Sequence, residues 1–167
     1  SAKVLDAAAI GLRVSGPTLD ATPETVDAGR IHAALAARPV LVVPGFVGVR
    51  EDGGVALLGR GGSDLTALFL AAQLRASCRL VKDVDGLYER DPAEAGEGPL
   101  PRRYTSITYE DALKLESSIV QHKAVRYARA AGLQFEVGSI GGGEPTVVGA
   151  EASVLAEAAR GRVEVTA

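Results

Sequence analysis

The stretch LLGRGGSDLTALFLAAQLRA, from Leu57 to Ala76, combines a glycine-rich turn with a long apolar segment that contains no proline. Three glycines surround Arg60 within four positions, and a serine and an aspartate follow. Because glycine carries no Cβ, such a turn lets backbone N–H groups approach an anion, and a helix that begins there directs its unpaired N–H groups to the same place. The Arg60 guanidinium adds a cation suited to carboxylate or phosphate. The stretch predicts a turn and a helix that together bind negative charge.

A second interpretation of the same residues is equally open from the spacing alone. In that interpretation the glycines form a tight turn, and Ser63 or Asp64, which stand where N-caps usually stand, only caps the helix. The stretch lacks the Gly-Lys-Ser/Thr ending of a Walker A loop and the Gly-x-Gly-x-x-Gly spacing of a dinucleotide-binding turn. A ligand-binding loop and a structural turn therefore stand as alternatives.

The composition of the whole chain excludes several function classes. Of the 167 residues, 47% are hydrophobic and 23% are charged, which is typical of a globular domain with a sizeable core. A formal net charge of −3 argues against electrostatic binding of nucleic acid, and no apolar run is long enough to span a bilayer. The single cysteine, Cys78, fits a reducing, cytoplasmic setting. From the charge and the short apolar runs we expect no nucleic-acid partner and no membrane partner. We also expect no metal site, because no Cys/His cluster has the spacing of metal ligands.

Strand-like and helix-like patterns alternate in the first half of the chain. Residues 2–6 and the valine-rich run 39–46 predict strands, and the second strand is expected to be buried on both faces. Residues 25–38 predict a helix capped by Thr25. The dipeptide at 52–53, Asp-Gly between short apolar runs, predicts a hairpin.

The alternation continues in the second half. CRLVKDVDGLYERDP predicts a strand that ends near Lys82, followed by an acidic turn. Residues 109–132 predict one or two helices closed by a glycine, and residues 133–149 predict two short strands around a loop. A last helix over 150–160 and a strand over 162–167 complete the series. The order of elements predicts an α/β fold, a three-layer α-β-α sandwich with a mainly parallel sheet.

The succession of these motifs resembles the amino-acid kinase family and, within it, the aspartokinases. The resemblance rests on PGFVGVREDGGVALLGRGGSDLTALFLAAQL (44–74) and KDVDGLYERDP (82–92), and it continues through ITYEDALKL (107–115) to AGLQFEVGSI (131–140). It implies the carbamate kinase-like fold of that family. It also implies that residues 1–167 form the ATP-binding portion of one kinase domain, with 150–167 leading into a following domain.

The resemblance implies an activity and assigns residues to it. Aspartokinases transfer the γ-phosphoryl group of ATP to the side-chain carboxylate of L-aspartate, which gives 4-phospho-L-aspartate for lysine and threonine biosynthesis. By this resemblance Arg60 and Ser63 hold the L-aspartate substrate, and Gly45 and Phe46 frame the same cleft. The resemblance also implies three catalytic positions, an aspartate that orients a transfer lysine and two glycines whose backbone lies against the transferring phosphate: Asp64, Gly61 and Gly62.

The nucleotide is implied to lie against KDVDGLYERDP. The resemblance places Lys82 and Asp83 at the ribose and base of ATP, and Tyr88 in the lining of the pocket. Without it, the aspartates of this segment are turn formers; with it, we assign turn roles only to Asp85 and Asp91. Mg²⁺ is expected to accompany ATP, bound through phosphate oxygens rather than by a protein cage.

The chain departs from the family pattern in three places. The family's opening Lys-x-Gly-Gly motif is absent and the chain has no methionine, so we expect it to begin about half-way through a kinase domain and to be inactive alone. Ser118 takes the place of a lysine that contacts the ATP phosphates, and Lys123 lies more than one helical turn further on. Ala93 replaces an arginine, for which Arg90 and Arg102 are the candidates to compensate.

Three functions follow from this pattern. The leading one is the nucleotide-binding portion of an aspartokinase. The second is a degenerate, non-catalytic kinase module for assembly or ligand sensing, with attachment to a homoserine dehydrogenase as one option, since the family contains such fusions. The third is a kinase for acetylglutamate or a nucleoside monophosphate, which GRGGSD and DVDGLY favour less. Because a truncated sheet exposes strand edges, we also expect a second copy or the missing N-terminal half as a partner.

Overall fold

A computed structural model describes residues 1–92, 99–116 and 119–156. The strands are β1 (Ala2–Val4), β2 (Arg13–Ser15), β3 (Thr22–Thr25), β4 (Val40–Val42), β5 (Val47–Val49), β6 (Val55–Leu57), β7 (Arg79–Val81), β8 (Tyr104–Thr108), β9 (Phe135–Gly138), β10 (Thr146–Gly149) and β11 (Val154–Leu155). The helices are α1 (Ala28–Ala37), α2 (Gly62–Leu74), α3 (Tyr109–Ala112) and α4 (His122–Ala131). Within these ranges, no helix combines the length and apolar character needed to cross a membrane.

The strands form three sheets. A five-stranded sheet has the order β11-β8-β10-β9-β7, a four-stranded sheet has the order β3-β2-β5-β6, and β1 pairs with β4 alone. The pairs β1–β4, β2–β5, β7–β9 and β8–β10 are parallel, and the remaining pairs are antiparallel. The predicted α/β class is confirmed, with sheets that mix both directions because hairpins and the C-terminal strand add antiparallel partners.

Helix α2 lies between two hydrophobic cores. Leu65 and Leu68 belong to the larger core, which the five-stranded sheet and α4 complete. Phe69, on the next face, belongs to a second core with Ile10 and Ile31. A helix that is apolar on all sides must be buried on all sides, which explains why the run after the glycine turn lacks a polar stripe. This double burial fixes the position of the α2 N-terminus.

Several sequence predictions are confirmed. Strand β1 lies within 2–6, β7 ends one residue before Lys82, and β5 and β6 pair as the predicted hairpin. Residues 109–132 contain two helices, and Gly132 ends the second one in the left-handed conformation, with φ of 60°. Strands β2, β3 and β8 were not predicted, because they are short and lie in polar sequence.

Two predictions about the first half are wrong. Thr25 is the last residue of β3 and does not cap α1; Asp27 does, accepting from the Arg30 amide at 3.0 Å. The strand predicted at 39–46 is reduced to β4, and its faces are not both buried, since Val40 and Val42 are 51% and 49% exposed. The strand is buried on one face only: Leu41 and Val43 pack against the second core, whereas Val40 and Val42 point to the other side.

The helix predicted at 150–160 is wrong for its described part. Val154–Leu155 forms β11, which pairs antiparallel with β8. The side chains of Thr105 and Ser106 donate to the carbonyls of Val154 and Ala152, so β8 recruits this segment as an edge strand. The rest of that helix and the strand predicted at 162–167 lie outside the described residues.

Candidate functional site

The glycine turn leads directly into α2. Gly61 is the N-cap, with a left-handed backbone at φ 74°, and the helix begins at Gly62. Ser63 and Asp64 lie inside the first helical turn, so the prediction that one of them is the N-cap is wrong. The left-handed conformation required at the cap explains the difference, because glycine adopts it without steric cost.

The turn leaves several amides open. The Gly62 amide donates to the Gly59 carbonyl at 2.9 Å, and the Leu65 amide donates to the Gly61 carbonyl at 3.0 Å. The amides of Gly61, Ser63 and Asp64 have no acceptor among the residues that the structure describes. They carry the positive end of the helix dipole, so the first turn of α2 can accept an anion.

Close packing requires glycine at two positions of this turn. A Cβ on Gly62 would lie 2.8 Å from the Leu58 Cβ and 2.8 Å from the Phe46 ring. A Cβ on Gly61 would overlap the side chain of Gln121, the residue that precedes α4. The turn is therefore packed against protein on one side while its amides remain open.

The backbone at Phe46 is strained and held by two hydrogen bonds. Phe46 has φ of 77°, a region that a bulky residue seldom occupies. Its amide donates to the Thr66 hydroxyl at 3.0 Å, and its carbonyl accepts from the Leu58 amide at 2.8 Å. The buried Thr66 hydroxyl in turn donates to the Gly62 carbonyl at 2.8 Å. A strained residue fixed in this way is a feature found at ligand sites.

The residue before Phe46 approaches the same helix. A Cβ on Gly45 would lie 3.1 Å from the Ser63 Cα, so the 45–46 turn touches the first turn of α2. The predicted substrate-binding residues Gly45, Phe46 and Ser63 are thus brought together.

A lysine and a carboxylate form an ion pair beside the open amides. The Lys82 ammonium lies 2.8 Å from both carboxylate oxygens of Asp64, and the two side chains are only 20% and 15% exposed. The Lys82 amide donates to the Gly138 carbonyl at 2.8 Å, which anchors the end of β7. Burial, and secondarily the Asp64 charge, raises the pKa of the nearby Cys78 thiol, so this cysteine stays protonated.

Arg60 lies at the exposed tip of the turn. Its guanidinium has no hydrogen-bond or salt-bridge partner within the described part of the chain. An arginine without a protein partner keeps its planar donor fork available for a carboxylate or phosphate.

The residues predicted at the nucleotide lie on the segment after β7. Asp83 is exposed, and the Tyr88 hydroxyl donates to the Asp85 carboxylate at 2.8 Å. Burial, followed by this hydrogen bond, raises the pKa of Tyr88, so the hydroxyl remains a donor. The turn-forming Asp85 thereby orients the tyrosine. Ser118 lies outside the described residues.

The two arginines considered as substitutes for Ala93, itself outside the described residues, have protein partners. Arg102 pairs with Glu89 at 3.3 Å, and Arg90 donates to the Pro99 carbonyl at 2.8 Å. Arg90 also lines a cavity of about 410 Å³ between residues 89–91 and the α3 segment. Sequence patterns did not indicate this cavity, since its walls come from separate segments of the chain.

The sequence also did not identify the residues that support the turn. Thr66 and Gln121 contact Phe46 and Gly61, as described above. The ammonium of Lys123 binds the Asp20 carboxylate and two carbonyls, so it is engaged within the protein. A lone threonine in an apolar helix, four residues after Gly62, was the available signal for Thr66.

Within the described ranges, no group of three or more His, Cys, Asp or Glu side chains is arranged to hold a metal ion.

Fold and site together define an α/β domain with a glycine turn at the start of a buried helix. Residues 1–139 match the family model described as the amino acid kinase family. The chain belongs to the amino acid kinase family.

Relatives of the chain include aspartokinases. An aspartokinase of Pseudomonas aeruginosa is 44% identical over 107 residues, which are 62% of this chain and 25% of that protein. The aspartate kinase from Synechocystis superposes with a TM-score of 0.69 at 29% identity, covering 89% of this chain and 24% of the other. The structure of Escherichia coli aspartokinase III, solved with lysine and aspartate, superposes with a TM-score of 0.68 at 25% identity. The match covers 90% of this chain and 35% of the other. The resemblance found in the sequence is confirmed, and the chain spans about a quarter of the curated relatives' length.

Proposed function

We propose that residues 1–167 form the ATP-binding portion of an aspartokinase domain, which phosphorylates the side-chain carboxylate of L-aspartate to 4-phospho-L-aspartate. The observation that carries the proposal is the open first turn of α2 with the Asp64–Lys82 pair beside it. Relatives with this sequence pattern are named aspartokinases, and the E. coli structure was solved with aspartate bound.

The amino-acid subsite is formed by the glycine turn and the strained 45–46 turn. The unpaired Arg60 guanidinium binds a substrate carboxylate, and the exposed Ser63 hydroxyl adds a hydrogen bond. Gly45 and Phe46 close the same side, because their backbone touches the start of α2. A bidentate arginine contact fixes both the position and the orientation of a carboxylate.

The phosphate subsite is formed by open amides and a held cation. Phosphoryl transfer requires mainly positioning and charge stabilisation, and the amides of Gly61, Ser63 and Asp64 supply donors without reorganisation. Asp64 orients the Lys82 ammonium next to them, so we place Lys82 at the phosphates and not at the ribose and base, where the family resemblance put it. In the family this carboxylate is expected to orient the lysine of the opening motif. In this chain it forms an ion pair with Lys82. Mg²⁺ enters on the phosphate oxygens of ATP, since Asp64 is committed to Lys82.

The base and ribose are placed against the segment after β7. Asp83 is exposed and available to the ribose, and the Tyr88 ring, oriented by Asp85, lines the pocket. Ser118, at the position of the family lysine, belongs to this subsite by sequence only.

The domain requires a partner surface. Val4, Val40 and Val42 of the β1–β4 sheet are 70%, 51% and 49% exposed. Exposed apolar strands favour association. We propose that this sheet pairs with the polypeptide that carries the first half of the kinase domain, or with a second copy of the chain.

One observation favours the second candidate, a non-catalytic module. All three ammonium donors of Lys123 are used by protein oxygens, so this lysine does not replace the one lost at Ser118. Reduced phosphate binding would leave a ligand-sensing or assembly role.

Calorimetric titration of the 167-residue chain with Mg–ATP and with L-aspartate tests these alternatives. We expect Arg60→Ala to weaken L-aspartate binding at least about tenfold while ATP binding stays within about twofold, as expected when one charged hydrogen-bonding contact is lost. Tyr88→Ala should do the reverse. Arg126→Ala, which removes an exposed arginine of α4, is the control. No heat with ATP and no thermal protection would support the non-catalytic module.

A further inference from the structure

The ammonium of Lys123, in the first turn of α4, is saturated by three oxygens from two other parts of the chain. Its Nζ lies 2.6 Å from the Asp20 carboxylate, 3.0 Å from the Ala21 carbonyl and 3.0 Å from the Leu58 carbonyl. A lysine ammonium has three donors and no acceptor, so each donor has its own partner here. This lysine therefore joins α4, the loop before β3 and the end of β6 at one point.

That point is the base of the glycine turn. Leu58 is the residue before Gly59, and its carbonyl is one of the three acceptors. A side chain on Gly59 would overlap the Asp20 carboxylate, so the partner of Lys123 also touches the turn directly. From the other side, Gln121 packs against Gly61. The start of α4 thus supports the turn on both sides of Arg60.

Arg60 itself has no protein partner in the described ranges, so the backbone of the turn sets the point from which its side chain reaches a ligand. We propose that Lys123, together with Asp20, is a positioning residue that fixes the glycine turn and thereby sets the affinity of Arg60 for a carboxylate ligand. The identity of the ligand as L-aspartate rests on the proposed function. The claim that Lys123 fixes the glycine turn does not rest on the proposed function.

The two hydrogen bonds from Lys123 to backbone carbonyls contribute more to fixing the glycine turn than its ion pair with Asp20 does. The Asp20 side chain is 68% exposed, and an ion pair with so much solvent contributes little. Leu58 and Ala21 are fully buried, and a buried carbonyl that loses its donor is costly. Lys123→Met keeps the length of the side chain and removes all three donors, so it leaves both carbonyls unsatisfied.

Hydrogen exchange of the full chain tests the positioning directly. The Gly62 amide reports on the turn through its bond to the Gly59 carbonyl, and the Val137 amide, in β9, reports on global opening. In Lys123→Met we expect the Gly62 amide to exchange at least about tenfold faster relative to Val137, the effect of losing about one hydrogen bond. Lys3→Met, which changes an exposed lysine of β1, should leave this ratio as in the wild type. An unchanged ratio in Lys123→Met overturns the proposal.

Ligand binding gives the second readout. With L-aspartate as the probe, we expect Lys123→Met to raise the dissociation constant at least about fivefold, and that for Mg–ATP to rise as well, since the proposed phosphate subsite uses amides of the same turn. A Val137 amide that still exchanges at the wild-type rate excludes a general loss of structure as the cause. Asp20→Asn, which keeps an acceptor for Lys123, should act in the same direction with a smaller effect and serves if Lys123→Met does not fold. An L-aspartate dissociation constant in Lys123→Met within about twofold of the wild-type value overturns the proposal. If the wild type binds no L-aspartate, the proposed function fails, and the exchange ratio alone decides whether Lys123 fixes the turn.

Discussion

At the scale of single residues, the site depends on a phenylalanine in an unfavourable backbone conformation. Phe46 is held at φ 77° by the hydroxyl of Thr66, which reaches it from α2. The same hydroxyl binds the Gly62 carbonyl, so one buried side chain links the 45–46 turn to the start of the helix. The strain persists because these bonds and the packing of Gly62 leave no room for another conformation.

Replacing this hydroxyl should destabilise the protein measurably. Thr66→Val keeps the shape of the side chain and leaves the Phe46 amide unsatisfied, so we expect a loss of about 1–3 kcal/mol in the free energy of unfolding. Urea denaturation measures it, and Thr25→Val, at an exposed position of β3, should change stability by less than about 0.5 kcal/mol. Equal effects of the two changes would show that the hydroxyl does not hold Phe46.

Residue types predicted where the candidate site lies better than which side chains pair with each other there. GRGGSD indicated an anion-binding turn, and the turn does open a helix with free amides. The sequence could not show that Asp64 would pair with Lys82, or that Asp27 rather than Thr25 would cap α1. Each of these depends on distances across the fold, which neither spacing nor propensity contains.

At the scale of elements, the start of α2 is defined by contact with the start of α4. Gly61 and Gly132 both cap helices with positive φ, but a Cβ at Gly61 would meet Gln121, whereas one at Gly132 has open space within 4 Å. The two glycines therefore separate the cost of the backbone conformation from the cost of the close approach.

Alanine at each glycine measures these two costs. Gly132→Ala should lose about 1–2 kcal/mol of stability through the left-handed backbone alone. Gly61→Ala should lose about 1–3 kcal/mol more, because the added methyl must displace α4. Thermal or urea unfolding gives both values. A Gly61→Ala variant no less stable than Gly132→Ala would mean that α4 does not pack tightly on the turn.

Helix α3 is joined to β11 through a carboxylate whose ionisation affects stability. Hydrogen bonds from Ser153, at 2.6 Å, and from Lys114, at 2.9 Å, lower the pKa of Asp111 from 3.8 to about 2. Since the folded pKa is below the unfolded one, this stabilisation is present above pH 4 and is lost as the pH falls toward 2.

Removing the serine should shift this titration. Ser153→Ala deletes the largest cause of the shift, so the pKa of Asp111 should move up toward 3.8 and the acid-induced loss of stability should begin at higher pH. Carboxyl NMR titration measures the pKa, with Ser15→Ala, an exposed serine of β2, as the control. A wild-type Asp111 that titrates at the ordinary value would contradict the network.

At the scale of the whole molecule, the β1–β4 sheet is the part where we propose that a partner binds. The sequence predicted β4 as a doubly buried strand from its run of valines, yet two of those valines are half exposed. A valine-rich run predicts that a strand is buried. It does not show which element covers the exposed face of that strand. The α/β class was predictable because it depends on the order of elements, whereas the pairing of β11 with β8 depends on long-range contacts.

Self-association through this sheet should respond to a charge on its face. Val42→Lys places an ammonium on the exposed side of β4 and should shift the chain toward monomer, because burying an unpaired charge is costly. Val55→Lys, at a valine of the β5–β6 hairpin that is 63% exposed, is the matched control. Sedimentation velocity over a concentration series compares them. If Val55→Lys disrupts association equally, the partner surface is not the β1–β4 sheet.

The measurement that tests the central claim most directly is an amide NMR titration of the full chain with Mg–ATP. If the first turn of α2 binds phosphate, the amides of Gly61, Ser63 and Asp64 shift saturably. Lys82→Met weakens that binding at least about tenfold, since it removes the ammonium that Asp64 holds beside those amides. Amides that stay unshifted at saturating nucleotide, or shifts that Lys82→Met leaves unchanged, would contradict the claim that this turn is a phosphate site.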